Sequence, residues 1–233
     1  YMKAYNANRI MDGQSATYSD ETIAKYGSGA NIYRYPNNDY YSSDYVRSMK
    51  KYVDVDGIFE GGNDVAKFYA NVGRYSAGGL LKFGDFKNAR NNIFTVRANV
   101  DLKINDWIKT AVDGTAYFGQ NNTGRGIFWS DAASRRPFEF APLGPMYMKD
   151  KDIPELIAHK TDVNGEYLLG GTTSFTTNAF SNGYAGGTYS GVTRKFSFNN
   201  RVDFDLAAIT PGLSFHTNFS FDFFNSYNQT VYN

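Results

Sequence analysis

Apolar and polar residues alternate along several long stretches of this chain, most regularly from Phe94 to Asn105. Successive side chains of a β-strand point to opposite faces, so this stretch predicts a strand with one apolar and one polar row. The apolar row contains Phe94, Val96, Ala98, Val100, Leu102 and Ile104.

Five further stretches alternate in the same way, and the six predicted strands group into three hairpins. The first hairpin turns at Gly61-Gly62-Asn63-Asp64, a sequence that tolerates positive φ. The second turns near Asn105-Asp106, and the third near Pro211-Gly212. In the third hairpin, Asn200 and Thr217 occupy positions where the alternation calls for apolar residues.

The remaining segments lack this alternation and divide the chain. Ser19 to Tyr26 predicts a short helix capped by Ser19, and a second short helix is predicted from Ser43 to Lys50. The predicted organisation is an external loop region with short helices at 1–51, two hairpins at 52–119, a long external loop at 120–192, a third hairpin at 193–226 and the start of another external loop at 227–233.

Two architectures use such strands. In a secreted glycan-binding β-sandwich or adhesin, the apolar rows would face a shared core and the charged rows would face water. In an outer-membrane barrel, the apolar rows would face lipid and the polar rows would line a wet lumen. The two architectures therefore assign different surroundings to the same side chains.

Three features favour the barrel. The runs are about 10 to 12 residues, the length that crosses a bilayer at a tilt. The three hairpin turns are short and all fall at one end of the strands, whereas the loops at 76–92 and 120–192 fall at the other, as in outer-membrane barrels. The apolar rows of the third, fifth and sixth strands contain no charged residue.

Composition narrows the function classes. A formal net charge of +1 and the lack of basic clusters argue against nucleic-acid binding. The chain has no cysteine, which removes disulfides, thiolate metal sites and cysteine nucleophiles. No apolar run is long enough for a membrane helix. Because the chain opens at Tyr1 without a signal peptide, we expect a mature or partial chain.

Candidate catalytic groups are few. The histidines His159 and His216 are far apart in the chain and in different contexts, which disfavours a shared metal or catalytic site. Carboxylate pairs such as Asp203 and Asp205 are expected on any polar strand face, so they are a weak indication of catalysis. We expect no enzymatic activity, no metal and no cofactor.

Several segments resemble the barrel region of SusC/RagA-type TonB-dependent transporters, most densely between Gly61 and Trp107. These segments are Gly61-Gly62-Asn63-Asp64, Lys67 to Gly73, Gly78-Gly79-Leu80, Asn88 to Asn92 and Val96 to Trp107. Tyr18-Ser19-Asp20 and Tyr33 to Asn37 resemble the external region that precedes those strands in that family.

The resemblance implies an antiparallel, 22-stranded transmembrane β-barrel in the bacterial outer membrane, with an N-terminal plug that this sequence lacks. It also implies a SusD-like surface lipoprotein as a lid and coupling to the TonB complex. The imported molecule would be a glycan or, in some members, a peptide. Six strands cannot close even an eight-stranded barrel without leaving unpaired edges in lipid, so we expect a piece of a larger transporter.

In the barrel interpretation, each set of strand and loop residues has its own expected environment. The residues expected to line the lumen are Lys67, Arg97, Asp101, Lys103, Asp113, Arg201 and Asp203. Those expected to face lipid are Phe94, Val96, Val100, Leu102, Phe196, Phe198, Phe204, Phe219 and Phe221. Sugar rings stack on aromatic side chains, so the candidate substrate contacts in the external loops are Tyr33, Tyr35, Tyr40, Tyr41, Phe128 and Trp129.

Overall fold

A computed structural model describes residues 1–29, 35, 37, 39, 42–126, 128, 147–148, 162–163, 166–168, 183–184 and 186–232. Two helices come first, α1 (Met2–Met11) and α2 (Asp20–Ser28). The strands are β1 (Tyr52–Gly62), β2 (Ala66–Gly78), β3 (Arg90–Lys103), β4 (Ile108–Gly124), β5 (Tyr147–Met148), β6 (Asp162–Val163), β7 (Glu166–Leu168), β8 (Thr188–Asp205) and β9 (Ser214–Val231). A 3₁₀ turn spans Gly84–Asn88.

The six long strands form one antiparallel sheet in the order β1-β2-β3-β4-β8-β9. The predicted all-β class and the three hairpins are therefore confirmed. The three short strands form a separate sheet in the order β5-β7-β6. The large sheet is not closed, because β1 and β9 have no strand partner on their outer edges within the described part of the chain.

The strands extend further toward the long connections than the alternation predicts. β4 continues to Gly124, β8 begins at Thr188, and β9 continues to Val231. These extensions carry polar residues on both faces, such as Asn121 and Asn122, so they give no alternating signal. Ladder pairing with the neighbouring strands, including Asn122 with Ser190, continues the sheet there.

Two of the hairpin turns use the same side-chain device. The Asn63 Oδ1 atom accepts hydrogen bonds from the backbone N–H groups of Val65 and Ala66, both at 2.9 Å. Asn105 does the same for Trp107 at 3.0 Å and Ile108 at 2.8 Å. Asparagine commonly closes turns through such local bonds. With the β8–β9 connection, these turns occupy one end of the sheet.

The helices agree only partly with the sequence prediction. α2 is confirmed, and the Ser19 hydroxyl accepts from the Thr22 N–H group at 3.2 Å. The predicted helix from Ser43 to Lys50 is wrong, because this segment forms turns and pairs with the β2–β3 connection. The Lys82 N–H group donates to the Tyr45 carbonyl at 2.9 Å and the Arg47 N–H group donates to the Leu80 carbonyl at 2.8 Å, so the segment bonds to a distant part of the chain instead of continuing as a helix. α1 was not foreseen.

A small hydrophobic cluster lies at the end of the sheet opposite the short turns. It consists of the buried residues Leu81, Phe83, Phe86 and Phe128, with Tyr45, Val46 and Tyr184 packed against it. Phe86 closes over Gly124, where an added Cβ would come within 2.7 Å of the Phe86 ring. Gly124 therefore allows the β2–β3 connection to pack on the sheet. In the described parts of the chain, no helix is long and apolar enough to span a membrane.

Candidate functional site

The continuous strand register sorts the side chains of the large sheet onto two faces. Directly paired residues share a face, and the pairing runs without a break from β1 to β9. We call the face that carries Thr95 and Arg97 the polar face, and the face that carries Val96 and Val100 the apolar face. The register places the predicted lumen residues on the polar face: Lys67, Arg97, Asp101, Lys103, Asp113, Arg201 and Asp203.

A groove of about 580 Å³ on the polar face contains an aromatic and charged site. The Lys195 ammonium lies 5.7 Å from the centre of the Tyr117 ring and 5.8 Å from that of Phe224. These distances are typical of cation–π contacts. Tyr117 pairs with Lys195 across β4 and β8, and Lys195 pairs with Phe224 across β8 and β9, so the register itself builds this site.

The row of residues beside this aromatic pair supplies charged hydrogen-bonding groups. The Ser197 hydroxyl donates a short hydrogen bond to the Asp222 carboxylate. Arg97 is exposed and forms no side-chain hydrogen bond or ion pair with any described residue. Arg97, Ser197 and Asp222 lie in one row across the sheet, through Thr115 of β4. The groove therefore offers aromatic surface, two cations and one carboxylate to a ligand.

One polar atom next to this groove lacks a partner. The Asn99 Oδ1 atom is buried and accepts no hydrogen bond from the described residues. Asn99 stands directly opposite Asp113 and one polar-face row from Arg97. Buried polar atoms in native proteins nearly always have a partner, so this unpaired acceptor is an unusual feature of the polar face.

A second groove, of about 340 Å³, lies on the polar face near the short turns. It is lined by residues of both charges, including Lys67, Asp101 and Lys109. Arg201 donates to the Asp203 carboxylate from Nη2 at 2.7 Å and from Nε at 2.9 Å. The charges near the short turns thus partly neutralise one another, whereas the Arg97 guanidinium in the first groove has no ion-pair partner among the described residues.

The opposite, apolar face carries the predicted lipid-facing set: Phe94, Val96, Val100, Leu102, Phe196, Phe198, Phe204, Phe219 and Phe221. Large side chains on it are open to solvent in this structure; Phe219 is 62% exposed and Phe221 50%. Asn200 and Thr217, the two residues that break the alternation, also lie on this face, and Asn200 is bonded to β4. The Asn200 side-chain amide donates to the Thr110 hydroxyl at 2.9 Å and to the Ala111 carbonyl at 3.3 Å.

The predicted loop aromatics have different surroundings. Tyr35 packs edge-to-face on Tyr26, with ring centroids 5.3 Å apart. Phe128 is only 2% exposed and lies 5.3 Å from the Phe83 ring, so its contacts support a packing role and leave no face for a sugar. Tyr33, Tyr40, Tyr41 and Trp129 lie outside the described residues.

Neither histidine belongs to a metal-binding group in the part of the chain that the structure describes. His216 pairs with Asp203 at the end of the polar face near the short turns, and His159 lies outside the described residues. No cluster of three or more potential metal ligands occurs among the described residues.

The central groove residues Tyr117, Lys195, Ser197, Asp222 and Phe224 were not among the sequence candidates. A signal was present in the doublet Phe223-Phe224. In an alternating strand, two consecutive phenylalanines place one ring on each face, so one of them had to lie on the polar face. Its partner across the strands depends on register, which the sequence did not specify.

Comparison with known proteins gives this chain no assignment, since it matches neither a protein-family model nor a curated protein.

Proposed function

We propose that this chain forms six adjacent strands of a closed outer-membrane barrel of the SusC/RagA type, which imports a glycan or oligosaccharide. The observation that carries the proposal is the two-faced sheet, whose uninterrupted register gives one apolar and one polar face. A membrane barrel requires this division, because every second residue faces lipid and the others face the lumen. Further strands would pair with the open edges of β1 and β9.

The dimensions of the apolar face support a membrane position. On β3, the apolar row runs from Phe94 to Leu102. Eight residue steps of about 3.3 Å span about 26 Å along the strand, or about 20 Å along the membrane normal at a tilt of about 40°. This height is close to the ~25 Å apolar band of outer-membrane barrels.

Aromatic side chains flank this band at both ends. Phe94 and Phe118 pair at the end near the long connections, with ring centroids 6.4 Å apart. Phe204 and Phe215 pair at the end near the short turns, 5.8 Å apart. Aromatic rings concentrate at both membrane–water interfaces, so these pairs fit the two girdles of a barrel.

The first groove on the polar face supports a hydroxyl-rich substrate. Tyr117 and Phe224 offer rings on which the C–H face of a sugar stacks, and Arg97 and Asp222 offer a donor and an acceptor for its hydroxyls. In this proposal the groove is a substrate-binding site in the lumen. The substrate reaches it after a SusD-like lipoprotein closes over the external loops and TonB displaces a plug.

Single-cysteine labelling tests the proposal, and the chain is suited to it because it has no native cysteine. In the complete protein reconstituted in lipid, cysteines replacing Val100 and Phe204 should react only with a membrane-soluble maleimide. Cysteines replacing Arg97 and Arg201 should react with a charged, water-soluble one. These two pairs lie on opposite faces of the same two strands, β3 and β8.

The reverse result, lipid protection of Arg97 and Arg201, rules out the barrel. Protection of Val100 and Phe204 from both reagents identifies a β-sandwich, whose apolar face is covered by protein. A second readout addresses the substrate. If the groove binds glycans, the Phe224→Ala variant should bind oligosaccharides more weakly by isothermal titration calorimetry than a Phe223→Ala control on the apolar face. Equal losses in both variants would exclude the groove.

A further inference from the structure

A cationic cavity of about 920 Å³ lies between two connections at the end of the sheet remote from the short turns. Its walls are the segment that precedes β1, the β2–β3 connection and the adjoining ends of the strands. Five basic residues line it, Arg47, Lys51, Lys82, Lys87 and Arg90, and no acidic residue does. Asp44 and Asp85 are close in sequence, but neither lines the cavity.

Arg47 fixes the shape of this cavity. Its Nη1 atom donates to the carbonyls of Gly79 at 2.8 Å and Leu81 at 2.7 Å, and its Nη2 atom donates to that of Lys87 at 3.3 Å. These bonds tie the segment before β1 to the β2–β3 connection. The guanidinium is half-buried and bonded to neutral groups only, so its positive charge in the cavity wall is not neutralised.

The four other cations are available to a ligand. Lys51, Lys82, Lys87 and Arg90 are exposed, and their side chains form no hydrogen bond or ion pair with any described residue. Like charges held around one cavity repel one another, so the arrangement is stabilised when an anion occupies it. Phosphate oxygens are strong acceptors for lysine and arginine donors.

The position of the cavity indicates the source of the anion. The strand residues that line it on the apolar face are Val53, Ser76, Gly78, Arg90 and Asn122, all beyond the row that contains Phe94 and Phe118, and Tyr52 lines it from the polar face. Ser76 pairs with Asn92, about 7 Å along β3 from Phe94, and Arg90 lies about 13 Å from Phe94. If the strands are tilted as in a barrel, Ser76 and Arg90 lie about 5 and 10 Å beyond the apolar band along the membrane normal. This matches the depth of the lipid headgroups.

The surrounding rows carry the same sign of charge. Arg74 and Arg194 stand in register with Phe94 and Phe118, at the edge of the apolar band. From that row outward, none of the described strand residues on the apolar face is acidic. At comparable levels the polar face carries Asp54 and Asp56. The excess of positive charge is therefore specific to the side on which lipid would lie.

We propose that this cavity binds the phosphate group of a phosphorylated lipid headgroup in the outer leaflet, while the acyl chains of that lipid lie on the apolar band. This inference rests on the membrane position in the proposed function and adds a specific lipid site to it. Lys82 and Lys87 hold the phosphate from the β2–β3 connection, and Arg90 holds it from the start of β3.

The test uses the complete protein in phosphatidylcholine bilayers that contain a trace of spin-labelled phosphatidic acid or spin-labelled phosphatidylcholine. Electron paramagnetic resonance then gives the relative association of the two lipids. We expect a preference for phosphatidic acid that falls about fivefold for each lysine removed in the Lys82→Gln/Lys87→Gln variant at low ionic strength. The matched control, Lys3→Gln/Lys50→Gln, loses the same charge from exposed lysines outside the cavity and should keep the preference.

Equal losses in both double variants overturn the site in favour of a general surface-charge effect. Full competition by millimolar inorganic phosphate overturns the lipid assignment and identifies a site for free phosphate. Normal insertion without any preference for phosphatidic acid overturns this inference alone. Failure of the protein to insert into bilayers overturns the proposed function as well.

Discussion

The two faces of the large sheet belong to the same strands but differ in their side chains and in the contacts that those side chains make. On the apolar face of β3 and β8, no other element of the described structure covers the rows of phenylalanine and valine side chains, and Phe196 is 43% exposed. On the polar face of the same strands, side chains bond to one another across neighbouring strands, as Ser197 does to Asp222. One face is built to meet an apolar surrounding, and the other carries its own polar network.

Two residues that break the alternation, one on each face, are supported by their neighbours. Phe224 lies on the polar face and packs beside Lys195, at 5.8 Å from its ammonium. Asn200 lies on the apolar face and donates to Thr110 and Ala111. A residue that breaks the alternation is therefore informative about local chemistry. Phe224 marks the candidate groove, and Asn200 marks a polar side chain whose hydrogen bonds are made within the sheet.

The strongest test of the difference between the faces places one charge on each. If the apolar face meets lipid, Val100→Arg should lower the free energy of unfolding in lipid by about 2 to 4 kcal/mol. Thr95→Arg, on the polar face of the same strand, should change it by less than about 0.5 kcal/mol. Urea titration of the complete protein in vesicles measures both. Equal losses would show that the two faces have the same surroundings.

A weaker effect is expected at Asn200 on the apolar face. Thr110→Val leaves the Asn200 amide without its hydroxyl acceptor, and we expect a loss of about 0.6 to 1.7 kcal/mol in lipid. Adding Asn200→Leu should recover most of that loss, because no unpaired donor then remains. The same unfolding titrations give the double-mutant cycle. A double variant that is as unstable as the sum of the single variants contradicts this coupling.

On the polar face, the pairing of Lys195 with aromatic rings should contribute less. A double-mutant cycle of Lys195→Met with Phe224→Leu should give a coupling energy of about 0.5 to 1 kcal/mol, typical of exposed cation–π pairs. The coupling should persist at high salt better than an exposed ion pair would. A cycle that closes with no coupling means that the Lys195 and Phe224 side chains are only neighbours.

The smallest effect concerns pH and the turn between β3 and β4. Lys103 lowers the pKa of the Asp106 carboxyl, first by its hydrogen bond and then by its charge. A lowered folded-state pKa contributes stability above the unfolded value of 3.8, and this contribution is lost as pH falls through the folded-state pKa. NMR titration of Asp106 should therefore show a pKa below 3.8, and Lys103→Gln should restore it. An unchanged pKa in that variant would exclude the ion pair in solution.

The alternation alone was sufficient to predict the class, the hairpins and the division of side chains between two faces. These properties follow from the two-residue period of a strand, which is local and is written directly in the order of residues. The same local logic correctly predicted the Ser19 cap of α2. Where both faces are polar, as in the outer ends of β4, β8 and β9, the period carries no hydrophobic signal and the strands were predicted too short.

Register and long-range contact were decided only by the tertiary structure. Tyr117, Lys195 and Phe224 come from three strands, and only the pairing of those strands brings them together. The sequence from Ser43 to Lys50 predicted a helix, but the Tyr45 carbonyl accepts a hydrogen bond from the Lys82 N–H group and the Tyr45 ring packs on Phe83 instead. The cationic cavity depends on Arg47 joining two distant connections. A local pattern determines which way a side chain points, whereas its neighbours depend on how distant segments meet.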